Sequence, residues 1–303
     1  MSPDLTASRR VRERARSAVR SVRLALPKGR MQDGVIQLFA DAGIQVRAGA
    51  RGYRPTLSVP GFETKLLKPQ NIVEMLEVGS RDLGFAGADW VAELDAPLVE
   101  LLDTGLDPVR VVAAAPLALL ENGDLPRRPL VVASEYERLT QRWIEARGLE
   151  ARFLRSYGAT EVFPPEDADV IVDNTATGST LAANDLAVVD EVMRSSTRLY
   201  ASREAMDDPV RRGPIEDLLL LLRSVLEARG RVMLELNVPR ERLDEVIAVL
   251  PCMDRPTVAS LFGDTGFGVK AAVPRASVPE LVPRLKATGA RDIVVSDVAQ
   301  IVP

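Results

Sequence analysis

The residues from 170 to 184, VIVDNTATGSTLAAN, carry the side chains best suited to binding a phosphate and a sugar. An apolar strand is predicted to end at Asp173, and a loop of small residues then opens a helix. Gly178 lets the backbone approach an anion closely, and successive N–H groups with three hydroxyl groups can enclose a phosphate. Asp173 can accept hydrogen bonds from sugar hydroxyls. The alternative is an ordinary strand–turn–helix whose Ser and Thr side chains only cap the helix.

A second candidate is the turn at 26–31, LPKGRM, which also lies between a predicted strand and a predicted helix. Lys28 and Arg30 flank Gly29, and two cations beside backbone donors suit a pyrophosphate or a triphosphate. The alternative for this turn is a solvated surface loop.

A third candidate is Asp89 in the segment 82–91, DLGFAGADWV. It follows a predicted strand and two small residues, where a substrate cleft forms in an open α/β sheet. The alternative is a tight turn in which Asp89 caps a helix that begins at Trp90.

Weaker candidates are charged side chains that are individually typical of a protein surface. They are Arg51, Arg54, Lys65 and Lys68, near the Gly52–Tyr53 pair, and Glu161 within YGATEV. Cys252 follows a proline in a predicted loop and is interpreted as a packing residue rather than a nucleophile.

The composition excludes several kinds of chemistry. The chain has 303 residues, no histidine and one cysteine. It therefore has no Ser-His-Asp triad, no Cys-His dyad, no intrachain disulfide and no cysteine-rich zinc site. Carboxylates, cations, hydroxyls, backbone dipoles and a hard metal ion held by oxygen remain, and this set suits phosphate-bearing substrates.

The elements that position these candidates are short apolar strands alternating with amphipathic helices, which predicts an α/β fold with mainly parallel strands. The predicted strands are 22–27, 82–86, 109–115, 130–133 and 169–172, and the predicted helices are 33–42, 70–79 and 135–147, the last capped by Ser134.

After about residue 213 the pattern changes. A long helix at 215–229 is followed by a predicted βαββαβ series, the order of a ferredoxin-like domain. Its strands are 232–238, 257–262, 268–273 and 292–298, and its helices are 240–249 and 278–287.

Charge is unevenly distributed along a chain whose formal net charge is −4. Residues 1–23 hold seven arginines against Asp4 and Glu13. We interpret residues 1–20 as a basic, disordered extension and expect no nucleic-acid or membrane partner. No secretory signal or membrane-spanning run is apparent, so a cytoplasmic location is expected.

Taken together and in this order, these segments resemble those of the ATP phosphoribosyltransferase family, whose members catalyse the first step of histidine biosynthesis. The resemblance runs from about residue 21 to the end. It rests on LALPKGRM (24–31), DLGFAGADWV (82–91), YGATEVFPP (157–165) and VDNTATGSTLAAN (172–184), while ERLDEVIAVLPCMDRPTV (241–258) and LKATGARDIVVSDV (285–298) resemble the regulatory domain of the long form.

The resemblance implies two catalytic subdomains of the type II periplasmic-binding-protein kind, with the active site in the cleft between them, and a C-terminal ferredoxin-like regulatory domain. It implies Mg²⁺-dependent transfer of the phosphoribosyl group from phosphoribosyl pyrophosphate to N1 of ATP. Histidine as feedback inhibitor and a homo-hexamer, or a dimer–hexamer equilibrium, are also implied. The corresponding ranges are 21–109 with 190–212 and 110–189 for the catalytic subdomains, 213–230 for a connecting helix and 231–303 for the regulatory domain.

The resemblance also implies roles for individual residues. Those implied to bind phosphoribosyl pyrophosphate are Asp173, Thr175, Ala176, Thr177, Gly178, Ser179 and Thr180, and those implied to bind ATP are Lys28, Gly29, Arg30, Lys68, Asp89 and Glu161. Lys28, Arg30 and Asp173 are the implied catalytic residues, and Glu235 and Thr257 are implied to bind the inhibitor. Mg²⁺ is expected to be held mainly by the substrate pyrophosphate.

The sequence departs from the family pattern at three places. Lys68 and Asn71, in the segment KLLKPQNI (65–72), stand where the family usually has an arginine and an acid. The segment FPPEDADV (163–170) is shorter than the usual loop. Asn174 stands where broader phosphoribosyl pyrophosphate motifs often carry a second acid. These departures leave open a non-catalytic ligand-binding or sensor protein of the same fold, and a phosphoribosyltransferase with another nucleophile.

Overall fold

The computed structural model describes residues 21–48 and 52–302. The predicted basic extension at 1–20 and the candidate Arg51 lie outside these residues. The described residues form two compact units, one built from those before 218 except 41–43, and one from 41–43 and those after 217.

The first unit contains the sequence candidates for catalysis. Its strands are β1 (Val22–Pro27), β2 (Val46–Arg47), β3 (Thr56–Leu57), β4 (Phe62–Leu67), β5 (Leu83–Gly87), β6 (Val99–Pro116), β7 (Leu130–Ser134), β8 (Ala151–Arg155), β9 (Val170–Thr175) and β10 (Leu186–Ala201). Its helices are α1 (Met31–Asp41), α2 (Pro69–Glu77), α3 (Ala88–Leu94), α4 (Glu137–Arg147), α5 (Ser179–Ala183) and α6 (Arg203–Asp207), with short 3-10 turns at Leu117–Leu119 and Thr160–Val162.

Eight of these strands form one sheet in the order β4-β1-β5-β10-β6-β9-β7-β8. β1, β4 and β5 are parallel to one another at one end, and β7, β8 and β9 are parallel to one another at the other. β10 runs antiparallel to β5 and β6, and β6 runs antiparallel to β9. The expectation of mainly parallel strands is therefore wrong for the middle of the sheet.

The two long strands in the middle explain that error. β6 is 18 residues long, although only 109–115 is predicted, and β10, 16 residues long, is not predicted at all. Their pairing is interrupted by repeated register shifts between 188 and 200. Because each bulge reverses which face the following residues occupy, β10 lacks the two-residue alternation that identifies a strand in sequence.

Helix α4 begins differently from the prediction. Ser134 does not cap it; its Oγ accepts a hydrogen bond from the Tyr136 N–H, one residue before the helix. The N–H groups of Arg138 and Leu139 instead donate to the Glu93 carboxylate, at 3.1 and 3.0 Å. Glu93 is 7% exposed, so a buried acid from α3 satisfies the N-terminus of α4.

Helix α7 (Pro209–Arg229) begins six residues before the predicted start at 215 and contains Pro214. The sequence rule that places proline in the first helical turn is satisfied by Pro209. No helix of the described chain is long and apolar enough to cross a membrane.

The second unit follows the predicted βαββαβ order. Its elements are β11 (Arg231–Val238), α8 (Leu243–Val249), β12 (Thr257–Ser260), β13 (Phe267–Pro274), α9 (Val278–Ala287) and β14 (Arg291–Asp297), with 3-10 turns at Arg240–Arg242, Phe262–Asp264 and Arg275–Ser277. The strands form an antiparallel sheet in the order β12-β13-β11-β14. Alternate residues of β11 are buried in a core with Val246, Leu281 and Leu285, and the other β11 residues occupy the opposite face.

Candidate active site

The loop that follows β9 lines a pocket of about 460 Å³. The lining residues come from four segments, and they are Arg30, Glu135, Gly158, Ala159, Thr160, Glu161, Asp173, Asn174, Thr175, Ala176, Thr177, Ser179, Thr180 and Leu181. The structure thus brings together one cation of the 26–31 turn, Glu161, and the implied phosphoribosyl pyrophosphate residues except Gly178.

Hydrogen bonds within the loop hold its backbone in shape. The Thr175 hydroxyl, in a side chain only 8% exposed, accepts from the Gly178 N–H at 2.9 Å. The Thr177 hydroxyl accepts from the Ser179 N–H at 3.3 Å and lies 3.0 Å from the Ser179 hydroxyl. Gly178 has φ of 82°, in the left-handed region that favours glycine. Among the described residues, the N–H groups of Ala176 and Thr177 have no protein acceptor and remain available to an anion.

The two cationic side chains of the 26–31 turn, Lys28 and Arg30, have different neighbours. Gly29 has φ of 77° and its carbonyl accepts from the Gln32 N–H, so the turn leads directly into α1. Arg30 lines the pocket, whereas the Lys28 ammonium lies over the exposed ring of Tyr53, 3.7 Å from its centre. Neither cation forms an ion pair with a described residue.

Lys68 lies at the same sheet edge as Lys28. The two residues directly follow the parallel strands β4 and β1, in which Leu67 and Pro27 are paired. Lys68 is exposed and immediately precedes α2, and it does not line the pocket.

Asp89 is buried instead of lining the pocket. It is 4% exposed, and its two carboxylate oxygens accept hydrogen bonds from the Ser195 hydroxyl at 2.6 Å and the Tyr136 hydroxyl at 2.7 Å. Asp89 does not cap α3 through its side chain, because the residue before that helix is Gly87. The capping interpretation is therefore wrong, and the implied role of Asp89 in binding ATP stays a prediction.

Asp173 lines the pocket together with two other acids, Glu135 and Glu161. Burial, together with the nearby charges of Glu135 and Glu161, raises its pKa from 3.8 to about 6, although the Asn174 N–H acts to lower it. Asp173 is therefore mostly ionised at neutral pH but close to its protonation midpoint.

Three residues of this site escaped the sequence analysis as functional candidates: Glu135, Tyr136 and Asn174. Glu135 follows the carboxyl end of β7, and the rule that selected Asp89 and Asp173 also selects it. The Asn174 side-chain amide donates to the Tyr136 hydroxyl at 3.0 Å and to Asp173 at 3.3 Å. From the sequence alone, Asn174 is noted only as a departure from a motif.

The two implied inhibitor residues lie in the second unit, on one face of its sheet. Thr257 and Glu235 are each paired across the sheet with Lys270, so all three side chains project from the same face. The Lys270 ammonium forms an ion pair with Glu235 at 2.6 Å.

In the described part of the chain, no group of three or more acidic, cysteine or histidine side chains is arranged to hold a metal ion. The pocket therefore does not fit a resident metal ion bound by the protein alone.

Comparisons with known proteins show the family to which the chain belongs. The profile of the family described as HisG: ATP phosphoribosyltransferase matches residues 68–224, and that of the HisG C-terminal domain matches 228–300. The chain is 37% identical over 289 residues to the ATP phosphoribosyltransferase of Pelotomaculum thermopropionicum, covering 93% of this chain and 99% of that protein. It is 35% identical over 286 residues to the ATP phosphoribosyltransferase of Chlorobium luteolum, covering 93% and 97%. A solved ATP phosphoribosyl transferase (HisG:HisZ) complex from Thermotoga maritima has a TM-score of 0.61 and 25% identity, covering 68% of this chain and 98% of that one.

Proposed function

The chain belongs to the long form of the ATP phosphoribosyltransferase family, which catalyses the first step of histidine biosynthesis, and we propose that the pocket at Asp173–Thr180 binds its phosphoribosyl donor. The observation that supports this most directly is the meeting of Arg30 with the hydroxyl-rich loop in one pocket. A cation, free N–H groups and a carboxylate then face a ligand that carries both phosphates and sugar hydroxyls.

Within this proposal, Asp173 accepts hydrogen bonds from the ribose hydroxyls, and the backbone of Ala176 and Thr177 with the hydroxyls up to Thr180 surrounds the 5-phosphate. Arg30 and Lys28 neutralise phosphate charge. Thr175 supports the site indirectly, because its hydroxyl is used to hold the Gly178 N–H. ATP is proposed to contact the sheet edge that carries Lys28, Gly29 and Lys68, with Glu161 on the opposite wall.

The reaction requires little acid–base chemistry from the protein. Substitution at the anomeric carbon of the donor passes through a transition state with oxocarbenium character, as in glycoside hydrolysis. The nucleophile, N1 of ATP, carries a free lone pair, so no strong base is needed to activate it. Alignment and electrostatic stabilisation can supply a large part of the barrier reduction, which agrees with a chain that contains no histidine.

Mg²⁺ is proposed to enter with the donor, as the magnesium complex of its diphosphate. Mg²⁺ is commonly bound by one or two carboxylates together with substrate phosphates, which supports a metal ion held mainly by substrate oxygens. The residues left to the protein are those that bind and orient the donor.

The finer architecture and the regulation belong to the same proposal. We assign the first unit to two type II periplasmic-binding-protein-like subdomains and the second to a ferredoxin-like regulatory domain that binds histidine near Glu235 and Thr257. A homo-hexamer, or a dimer–hexamer equilibrium, is proposed for the assembly. A cytoplasmic location is proposed because ATP and phosphoribosyl pyrophosphate are metabolites of that compartment.

The decisive assay measures pyrophosphate release from ATP, phosphoribosyl pyrophosphate and Mg²⁺. We expect Thr177→Ala and Gly178→Val to raise the KM for phosphoribosyl pyrophosphate more than the KM for ATP. Unchanged kinetics in both folded variants would show that the loop is only a helix cap, and turnover with another purine alone would identify a different nucleophile.

Regulation is tested with the full chain. Glu235→Gln and Thr257→Val are expected to weaken inhibition by histidine without changing uninhibited turnover. If histidine inhibits both variants as strongly as it inhibits the parent protein, the inhibitor binds elsewhere.

A further inference from the structure

A chain of hydrogen bonds connects Asp173 to residues outside the pocket, part-buried at Asn174 and buried beyond it at Tyr136, Asp89 and Ser195. The Asn174 side-chain nitrogen lies 3.0 Å from the Tyr136 hydroxyl and 3.3 Å from Asp173 Oδ1. The Tyr136 hydroxyl lies 2.7 Å from Asp89, and the Ser195 hydroxyl lies 2.6 Å from the other oxygen of that carboxylate. Tyr136 is fully buried and Asp89 is 4% exposed, so water does not replace these partners.

The direction of each hydrogen bond in this chain is determined by its acidic end. Asp89 is a carboxylate and can only accept, so Tyr136 must donate its single hydroxyl proton to it. The oxygen of Tyr136 then has only lone pairs to offer Asn174. Burial and the charge of Asp89 raise the pKa of Tyr136, so the phenol keeps this proton throughout the physiological range.

Position 174 therefore lies between two acceptors, the Tyr136 oxygen and the Asp173 carboxylate. An amide NH₂ group has two hydrogens and can donate to both. A carboxylate at this position would face two acceptors. An aliphatic side chain would leave the Tyr136 oxygen without this donor and would leave Asp173 with only the backbone N–H of residue 174. The asparagine that departs from the broader motif is thus the side chain that its surroundings require.

The same residue also orients Asp173. Asp173 Oδ1 accepts from both the backbone N–H of Asn174, at 2.7 Å, and its side-chain amide. Its other oxygen, Oδ2, has no hydrogen-bond partner among the described residues. One oxygen is fixed and the other is left for a ligand in the pocket that Asp173 lines.

We infer that Asn174, held in place by Tyr136 and Asp89, is a positioning residue that fixes the Asp173 carboxylate for the sugar of the phosphoribosyl donor. This inference rests on the proposed function for the identity of the ligand, but not for the hydrogen-bond geometry. The charged and titratable groups that face Asp173 are Glu135 after β7, Glu161 in the 160–162 turn, Arg30 after β1 and Tyr136 before α4. Asn174 is a neutral donor among them, so changing it alters the environment of Asp173 without removing another charge.

The test reads Asp173 directly and does not depend on turnover. The protein is labelled with ¹³C at aspartate carboxyl carbons, and the Asp173 resonance is identified by its loss in Asp173→Asn. We expect the Asp173 titration midpoint to rise by about one pH unit in Asn174→Asp, because a like charge is added beside it. Asn174→Ala, which adds no charge and removes both side-chain bonds, is expected to give a smaller rise.

Asn122→Asp is the matched control, because it adds the same charge at an exposed turn and should leave the Asp173 midpoint unchanged. The kinetic arm measures kcat/KM for phosphoribosyl pyrophosphate, which we expect to fall at least tenfold in Asn174→Ala while the KM for ATP changes less than twofold. Tyr136→Phe should reproduce part of that loss, since it frees the Asn174 amide.

The outcomes separate the inference from the proposed function. Equal Asp173 midpoints in the parent, Asn174→Asp and Asn174→Ala proteins, all folded by circular dichroism, overturn the inference even if the enzyme is active. Shifted midpoints in a parent that releases no pyrophosphate support the hydrogen-bond role and overturn the proposed function. If Asn174→Asp does not fold, the midpoint and kinetics of Asn174→Ala decide the question.

Discussion

Asp89 and Asp173 both come near the end of a strand, but they differ in burial and in how their carboxylate oxygens are bonded. Asp89 comes two residues after the end of β5, in the first turn of α3, and Asp173 lies near the end of β9, six residues before α5. Asp89 is buried with both oxygens bonded, and a Cβ atom at the preceding Gly87 would lie only 2.1 Å from its Oδ1. Asp173 lines a pocket and keeps one oxygen without a protein partner.

The difference shows that an acid at the end of a strand does not by itself mark a ligand site. Asp89 accepts hydrogen bonds from Ser195 and Tyr136, so both of its oxygens have partners and these bonds help to stabilise the packed structure. Asp173 is partly desolvated beside other acids, and its raised pKa shows that its charge opposes folding at neutral pH. A charge that costs stability and faces a cavity is the stronger indication of function.

The largest effect should follow from removing Asp89. In Asp89→Ala, the buried hydroxyls of Tyr136 and Ser195 each lose an acceptor, at about 1 to 3 kcal/mol apiece. We therefore expect the free energy of unfolding to fall by about 4 kcal/mol, measured by urea denaturation. Asp217→Ala, at an exposed helical position, is the control and should change stability by less than about 0.5 kcal/mol. A well-folded Asp89→Ala protein with only a raised KM for ATP would return Asp89 to the ligand site.

The next effect concerns activity rather than folding. Asp173→Asn keeps an oxygen that can accept the Asn174 N–H but removes the charge offered to the donor sugar. We expect kcat/KM for phosphoribosyl pyrophosphate to fall about 100-fold, equivalent to about 2.7 kcal/mol of transition-state stabilisation. Asp167→Asn makes the same change at an exposed site and should leave kcat/KM as in the parent protein. Activity within threefold of the parent in Asp173→Asn would remove the functional distinction between the two acids.

The sequence could predict the loop at 173–180 and the turn at Arg30 because each signal is local: a strand, a few small or charged residues, and a helix. It could not predict the role of Asp89, since its partners Tyr136 and Ser195 lie 47 and 106 residues away. Asn174 is similar, because its partner Tyr136 is 38 residues away. Strand β10 escaped prediction for a different reason, the bulges that break its alternation. The C-terminal unit follows its predicted order of elements, and its central strands β11 and β13 alternate between buried and less buried residues.

Asp173 is expected to differ from Asp89 in its effect on stability, since its charge should destabilise the folded protein at neutral pH. Because the pKa of Asp173 is raised to about 6 in the folded protein from 3.8, the folded state binds a proton more readily than the unfolded state between these values. The contribution of Asp173 to stability therefore becomes less favourable as pH rises from about 4 to 6. At pH 7, Asp173→Asn should be more stable than the parent by about 1 to 2 kcal/mol, after allowance for partial exposure.

Measurement of urea midpoints for both proteins at pH 7, 6, 5 and 4 checks this sign. The advantage of Asp173→Asn should shrink as the pH falls below 6 and be nearly absent at pH 4. An Asp173→Asn protein that is less stable than its parent at pH 7 would show that Asp173, like Asp89, stabilises the fold.

The smallest effect separates backbone strain from ligand binding at the loop itself. Gly178 has φ of 82°, and nothing lies within 4 Å of the position that a Cβ atom would take. Gly178→Ala should therefore cost only the left-handed conformation, about 1 kcal/mol in urea denaturation. Gly213→Ala is a useful control, because that glycine lies within α7 with equally open space and no positive φ. Since alanine fits the space, Gly178→Ala should change the KM for phosphoribosyl pyrophosphate less than the bulkier Gly178→Val does. Equal KM increases in the two variants would mean that backbone conformation, rather than room for the ligand, is what position 178 supplies.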